Sequence, residues 1–138
     1  MFGNLFGAKE KNLIVLIEDD KGTYDLIASF LEMKGYSVKG TAKGEDGLDL
    51  VAKSQPSLVI LDIMLPGMNG FDVLLKLKSQ SRTKRIPVIM CTALNAIDDV
   101  EKCMNWGAAG YVTKPLEMAR VFERIGSILA QQSKGFLG

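Results

Sequence analysis

The sequence of 138 residues contains no histidine. This absence excludes catalytic triads, histidine general bases and histidine-bound metals, because each of these needs an imidazole side chain. Cysteine is scarce as well: only Cys91 and Cys103 are present, both in apolar surroundings and without the spacing of metal ligands. We interpret them as small core residues of a protein that stays in a reducing cytoplasm.

An excess of charge of one sign is also missing, since 17 basic and 16 acidic side chains leave a net charge of +1. Direct nucleic-acid binding through bulk electrostatics is therefore not expected. One local basic cluster does occur at the end of the third predicted helix and in the loop after it. Its favoured interpretation is a set of cations that complete the C-terminal end of a helix and the following loop, and the alternative is a phosphate-binding patch. Its members are Lys76, Lys78, Arg82, Lys84 and Arg85.

The sequence also lacks a long hydrophobic run. Residues 1–7 are apolar but short and glycine-rich, with no basic residue ahead of them, so they fit neither a signal peptide nor a membrane span. We predict a cytoplasmic chain without membrane association. Residues 1–10 are predicted to form a flexible N-terminal extension, and the alternative is that Phe2 and Phe6 dock on a partner or a sister chain.

Five short apolar runs rich in β-branched residues alternate with five stretches of helical period. This alternation is typical of βα units around a parallel sheet. The predicted strands are residues 13–17, 36–40, 57–61, 87–91 and 110–112. The predicted helices are residues 22–34 and 44–54, then helices that carry Phe71 to Leu77, Ile97 to Met104, and Leu116 to Leu129. One domain is expected over residues 11–130, with residues 131–138 as a C-terminal tail.

Carboxylates follow the first and third predicted strands: Glu18 and Asp19 come after the first, and Asp62 after the third. Ligands of an open parallel sheet collect at the carboxyl ends of its strands. Carboxylates that converge there repel each other unless a cation lies between them, and hard oxygen ligands suit Mg²⁺. We predict a divalent metal site in which Asp19 and Asp62 are direct ligands, Glu18 acts directly or through water, and Met64 supplies its backbone carbonyl.

A carboxylate at the end of a buried strand also predicts a nucleophile. Asp62 beside a metal is suited to form an aspartyl-phosphate. Thr92 lies at the carboxyl end of the fourth predicted strand and Lys114 comes just past the fifth, where a hydroxyl can donate to a phosphoryl oxygen and an ammonium group can balance its charge. The Lys114–Pro115 bond is a candidate for the cis form, because a tertiary amide makes cis accessible.

Four motifs resemble the receiver domain of bacterial two-component response regulators: VLIEDD at residues 15–20, LDIMLPGMNG at 61–70, CTA at 91–93 and GYVTKP at 110–115. The resemblance covers about residues 12–129. It implies a stand-alone, CheY-like α/β protein. Its fold would be a flavodoxin-like, doubly wound, five-stranded parallel sheet of order 2-1-3-4-5 with five helices.

The resemblance also implies residue roles. The acidic pair would be Glu18 and Asp19, the phospho-acceptor Asp62, the switch residues Thr92 and Tyr111, and the phosphate-binding lysine Lys114. It implies dependence on Mg²⁺ or Mn²⁺, with a sensor histidine kinase or a histidine phosphotransfer protein as phosphoryl donor. Such a chain is not a classical enzyme, because it catalyses only its own phosphorylation and slow dephosphorylation.

Phosphorylation would change the surface of the fourth helix, fifth strand and fifth helix, either to control a downstream protein or to pass the phosphoryl group on in a phosphorelay. The sequence leaves the downstream protein unidentified and a homodimer open. Trp106 is predicted on the fourth helix near this surface, as a core-edge residue or as an anchor for a partner. Met64 and Leu94 are apolar positions around the pocket that orient no attacking water, so we hypothesise a long-lived phosphorylated state.

Three alternative classes are less well supported. An aspartate-nucleophile phosphatase of the haloacid dehalogenase type needs a second carboxylate where this chain has Met64. A degenerate receiver that binds partners without phosphorylation does not explain the intact set of polar residues. A flavodoxin-type FMN carrier needs a phosphate loop after the first strand, where Glu18, Asp19 and Asp20 would repel phosphate.

Overall fold

The computed structural model describes residues 12–93 and 97–137, where five parallel strands alternate with five helices. Residues 1–10 and Leu94, on which two of the predictions rest, lie outside the described residues. The strands are β1 (Leu13–Ile17), β2 (Ser37–Thr41), β3 (Leu58–Asp62), β4 (Val88–Ala93) and β5 (Gly110–Lys114). The helices are α1 (Lys21–Met33), α2 (Gly44–Ser54), α3 (Gly70–Ser79), α4 (Ile97–Asn105) and α5 (Met118–Leu137).

The strands form one sheet of order β2-β1-β3-β4-β5, which confirms the predicted flavodoxin-like order. All neighbouring strands pair in parallel. The register sets Asp62 opposite Cys91, and Ala93 opposite Lys114. The carboxyl ends of β3, β4 and β5 therefore meet at one edge of the sheet.

Two apolar layers cover the sheet, one on each face. On one face, α2, α3 and α4 contribute Val51, Leu74 and Cys103 to the core, and on the other α1 and α5 contribute Leu31 and Ile125. Strands β1 and β3 are buried along their whole length, as central strands covered on both faces must be. This double cover holds the ends of β1 and β3 in a rigid frame.

The fifth helix differs from its prediction at both ends. It begins at Met118, because the Glu117 carbonyl accepts from the Val121 amide at 3.1 Å, and Leu116 precedes it while still packing on the core. It continues to Leu137, through most of the predicted tail, since residues 130–134 contain no proline to end it. Among the helices of residues 12–93 and 97–137, none has both the length and the apolar character needed to cross a bilayer.

Candidate functional site

The acidic residues meet where β1 and β3 end. Glu18 follows β1 and Asp62 is the last residue of β3, and each is only 3% exposed. Asp20 has a different task, because its side chain accepts from the Thr23 amide at 2.8 Å and caps the start of α1. Buried carboxylates need compensating charge or hydrogen bonds, so Glu18 and Asp62 mark the candidate site.

Lys114 supplies part of that compensation. Its Nζ atom lies 3.1 Å from Asp62 Oδ2 and 3.2 Å from Glu18 Oε1. Partial burial lowers the pKa of Lys114, but the hydrogen bond and the negative charges of Asp62 and Glu18 outweigh this effect and raise the pKa. The ammonium group therefore stays charged and joins the ends of β1, β3 and β5.

Glu18 remains incompletely satisfied. Its Oε2 atom accepts from the Asp20 amide at 3.1 Å, whereas its buried Oε1 atom has only the ion pair with Lys114 and no well-aligned hydrogen bond among the described residues. Burial, together with the neighbouring Asp62 carboxyl, raises the pKa of Glu18 from 4.5 to about 7. The charge of Lys114 thus does not offset the cost of ionising Glu18 at this buried position.

The same cluster fits a divalent cation. Glu18, Asp19 and Asp62 each offer a carboxylate oxygen, and these oxygens lie within 4.8 Å of one another. An all-oxygen donor set is what Mg²⁺ prefers, and the incompletely satisfied Glu18 oxygen is suited to face a cation. Met64 is held nearby through its amide, which donates to Asp62 Oδ1 at 3.1 Å.

The loop after β3 returns close to Asp62. The Gly70 amide donates to the Ile63 carbonyl at 2.9 Å, and a Cβ atom at Gly70 would collide with the Asp62 carbonyl oxygen. Only glycine allows this close approach, which fixes the backbone that carries Asp62. In the sequence, the signal for this close approach is the position of Gly70 at the end of a segment that also contains Pro66 and Gly67.

Thr92 is buried next to this site, near the end of β4. Its hydroxyl donates to the Ala93 carbonyl at 3.4 Å, a long contact that binds it weakly. Tyr111 on β5 points outward, with 39% of its surface exposed. The structure thus brings Glu18, Asp19, Asp62, Thr92 and Lys114 to one edge, and places Tyr111 outside the acidic cluster.

Two further predicted positions are located by the structure. The Met64 side chain is 74% exposed at the rim of the site. Trp106 directly follows α4 instead of lying on it, and its ring meets Phe71 of α3 edge to face at 5.9 Å. Trp106 therefore packs against α3. Gly107, with a φ of 100°, follows directly and marks the end of α4. The Lys114–Pro115 peptide bond is cis.

Comparison with known proteins identifies the family. The family model of the response regulator receiver domain matches residues 14–126, and the chain belongs to this family. The polar-differentiation response regulator DivK of Brucella anthropi is 33% identical over 116 residues, covering 84% of this chain and 94% of DivK. The DNA-binding dual master transcriptional regulator RpaA of Synechocystis sp. is 38% identical over 121 residues, covering 88% of this chain. The chain spans only 50% of RpaA.

Solved structures agree. A CheY-like receiver domain protein of Methanospirillum hungatei JF-1 superposes with a TM-score of 0.84 at 28% identity, covering 91% of this chain and 99% of that one. The chemotaxis protein CheY4 of Vibrio cholerae superposes with a TM-score of 0.80 at 22% identity, and the superposition covers 86% of this chain and 99% of CheY4. This likeness shows the shared fold. Receiver domains of two-component systems are phospho-acceptor signalling domains rather than classical enzymes, and they bind Mg²⁺ at an acidic pocket.

Proposed function

We propose that this chain is a phosphorylation-controlled switch in which Asp62 accepts a phosphoryl group from a phosphohistidine donor. The observation that carries the proposal is the buried Asp62 carboxylate, with Lys114 Nζ at 3.1 Å and two further carboxylates close by. One Asp62 oxygen attacks phosphorus while the bond between phosphorus and the donor imidazole breaks. The imidazole leaves with the bonding electron pair, and the product is an aspartyl-phosphate.

The surrounding residues would take distinct parts in this transfer. Lys114 would hold an equatorial phosphoryl oxygen through a charge-assisted hydrogen bond. Glu18, Asp19, Asp62 and the Met64 carbonyl oxygen would hold Mg²⁺, and the bound ion would supply positive charge against the transferring phosphoryl group. The Met64 amide already donates to Asp62 Oδ1, which leaves the opposite oxygen of the carboxylate beside Lys114.

Thr92 would convert phosphorylation into a change of shape. Its hydroxyl is buried at the edge of the site and only weakly bound, so it is available to a phosphoryl oxygen. Movement of Thr92 toward the phosphate would make room for the Tyr111 ring to turn inward. The surface of α4, β5 and α5 would then differ between the two states.

The donor would be a sensor histidine kinase or a histidine phosphotransfer protein, the proteins with which receiver domains interact. The output would be control of a downstream protein or onward transfer in a phosphorelay. A cytoplasmic location belongs to the same proposal, since Cys91 and Cys103 are free thiols and thiols persist in a reducing compartment.

The direct test is incubation of the protein with Mg²⁺ and acetyl phosphate, followed by intact mass spectrometry. We expect the mass of one phosphoryl group to be added, to be lost in Asp62→Asn, and to be retained in the matched change Asp72→Asn on the exposed start of α3. No phosphorylation of the unchanged protein, or equal phosphorylation of Asp62→Asn, would refute the proposal and favour a degenerate receiver.

The switch is tested separately with Thr92. Thr92→Ala should still accept the phosphoryl group but lose the phosphorylation-dependent change in the amide spectrum of β5, whereas Thr92→Ser keeps a hydroxyl and should retain it. An unchanged spectral response in Thr92→Ala would show that the switch does not use this hydroxyl.

A further inference from the structure

The basic cluster in the last turn of α3 and in the loop after it is only partly explained by the fold. Lys78 Nζ donates to the carbonyl of Lys84 at 3.1 Å and of Ile86 at 2.8 Å, so this lysine closes the α3–β4 loop, as the favoured interpretation predicts. Arg82 donates to the Ala52 carbonyl at 3.1 Å and so caps the end of α2. Arg85 is exposed, and within the described part of the chain it has no hydrogen bond or ion pair.

Arg82 and Arg85 line the same cleft, which lies at the edge of the sheet opposite to Asp62. This amino-edge cleft has a volume of about 680 Å³ and is formed where Asn12 and Pro87 precede β1 and β4. Ligand sites of small molecules typically have volumes of about 300–1,000 Å³. None of the described residues that line the cleft is acidic, so the two guanidinium groups are not neutralised there.

The wall beside Arg82 is held in a fixed conformation. Gln55 has a φ of 48°, in the left-handed region that residues other than glycine rarely adopt. The side-chain amide of Gln55 donates to the Ala52 carbonyl at 3.0 Å and to the Arg82 carbonyl at 3.1 Å. This side chain therefore joins the end of α2 to the α3–β4 loop. The left-handed region is a common conformation for the residue that ends a helix, and the hydrogen bond from the Gln55 side chain fixes the backbone of Arg82 beside the cleft.

The remaining lining is mixed. Ile86 is buried at the base, and Leu129 and Gln132 of α5 form the facing wall. An apolar base with a few polar groups is the usual composition of a site for an organic molecule, and planar guanidinium groups match phosphate oxygens in pairs. A concave cleft of this volume accepts a small molecule but not a nucleic-acid duplex.

We propose that the amino-edge cleft binds an organic phosphate, a small molecule in which a phosphate group is attached to a partly apolar body. Arg85 and Arg82 would bind the phosphate, while Gln55 and Gln132 contact polar atoms of the body and Leu129 its apolar part. This site is distinct from the phosphorylation site at Asp62, because the two lie at opposite edges of the sheet.

The test uses the full chain in buffer with EDTA and three probes: adenosine monophosphate, inorganic phosphate and adenosine. We expect adenosine monophosphate to bind with a Kd below roughly 1 mM and more tightly than either of its parts, since each part makes only some of the contacts. In amide NMR spectra, the chemical-shift changes on addition of adenosine monophosphate should be largest at Gln55 and Arg85. Arg85→Gln should weaken binding by about tenfold or more, and Lys76→Gln, an equal charge change outside the cleft, should not.

Several results would overturn the proposal. Shifts confined to Met64 and Gly70 would place the phosphate at the other edge of the sheet, and equal binding by Arg85→Gln would exclude the cleft. Equal affinity for inorganic phosphate would show that no organic body is recognised. The absence of binding by all three probes, in a chain whose unfolding curve is normal, would leave Arg85 as an exposed loop cation.

Discussion

The Nζ atom of Lys114 lies between two buried carboxylates, 3.1 Å from Asp62 Oδ2 and 3.2 Å from Glu18 Oε1. A single positive charge therefore faces two carboxyl groups. The raised pKa of Glu18 is the consequence, because burial and the Asp62 carboxyl oppose its ionisation more strongly than Lys114 favours it. Because ionisation of Glu18 is unfavourable in the folded, metal-free protein, the stability of the fold should depend on pH and on bound cations.

The metal-free protein should lose stability as the pH rises. The pKa of Glu18 is about 7 in the folded chain against an ordinary value of 4.5, so between these values the folded state binds more protons than the unfolded state. The stabilising contribution is fully present below pH 4.5 and is lost as the pH rises through 7. The expected loss is up to about 3 kcal/mol, measured by urea unfolding in EDTA.

Substitution identifies the group responsible. Glu18→Gln removes the titrating carboxyl and should flatten the dependence of unfolding free energy on pH, while Glu45→Gln, at an exposed position of α2, should leave it unchanged. Added Mg²⁺ should restore stability at pH 8 in the unchanged protein, because a cation lowers the cost of charging the cluster. Equal pH dependence in Glu18→Gln would assign the effect to other groups.

Gly70→Ala should destabilise the fold and slow phosphorylation together. An alanine Cβ would collide with the Asp62 carbonyl oxygen and lie 2.6 Å from Ile63 Cα, both backbone atoms that move only if the loop moves. Overpacking of this kind costs about 1–3 kcal/mol. The measurements are urea unfolding and the rate of mass gain from acetyl phosphate.

A matched glycine provides the control for that prediction. Gly126 lies in α5, and a Cβ atom added there would have nothing within 4 Å, so Gly126→Ala should stabilise the chain by about 0.5–1 kcal/mol and leave phosphorylation unaffected. If both variants lose the same stability, steric contact at Gly70 is not the cause.

Much of the fold follows from local sequence patterns. The continuous apolar run at β1 and the alternation of strands with amphipathic helices predict a parallel sheet, and its five strands lie within two residues of their predicted bounds. The motif at Asp62 and the Thr-Lys-Pro sequence at the end of β5 pointed to one edge of the sheet because parallel strands bring their carboxyl ends together. These features need only the period and order of elements.

Other features depend on contacts between distant segments. The collision that requires glycine at Gly70, the hydrogen bond from Gln55 to the Arg82 carbonyl and the packing of Trp106 on Phe71 each arise only once segments are packed against one another. The amino-edge cleft is similar, since Arg85 and Gln132 are far apart in the sequence. Sequence periodicity carries no information about such pairs, so the structure was needed to find them.

Trp106 should contribute to stability, because its ring packs on Phe71 and the Lys102 Nζ atom lies 4.6 Å from the ring centroid. For this half-buried ring we expect Trp106→Ala to lower the unfolding free energy by about 2 kcal/mol, less than a fully buried aromatic loses. Met33→Ala, at a side chain that is 75% exposed, should change it by less than about 0.5 kcal/mol. An unchanged stability in Trp106→Ala would instead favour the role of partner anchor.

The lifetime of the aspartyl-phosphate should depend on Met64. Its exposed thioether stands two residues after Asp62 and can neither donate nor strongly accept a hydrogen bond, so it does not orient water for in-line attack on phosphorus. Met64→Asn introduces an amide that can orient a water molecule. We expect the half-life of phosphorylated Asp62 to fall by about tenfold, which is less than the rate effect of a general acid or base. Loss of the phosphoryl mass over time after removal of acetyl phosphate gives this half-life.

Met33 on α1 is a methionine as exposed as Met64, so Met33→Asn is the matched control and should leave the half-life unchanged. An undiminished half-life in Met64→Asn, and again when it is combined with Leu94→Glu, would show that these two positions do not control hydrolysis.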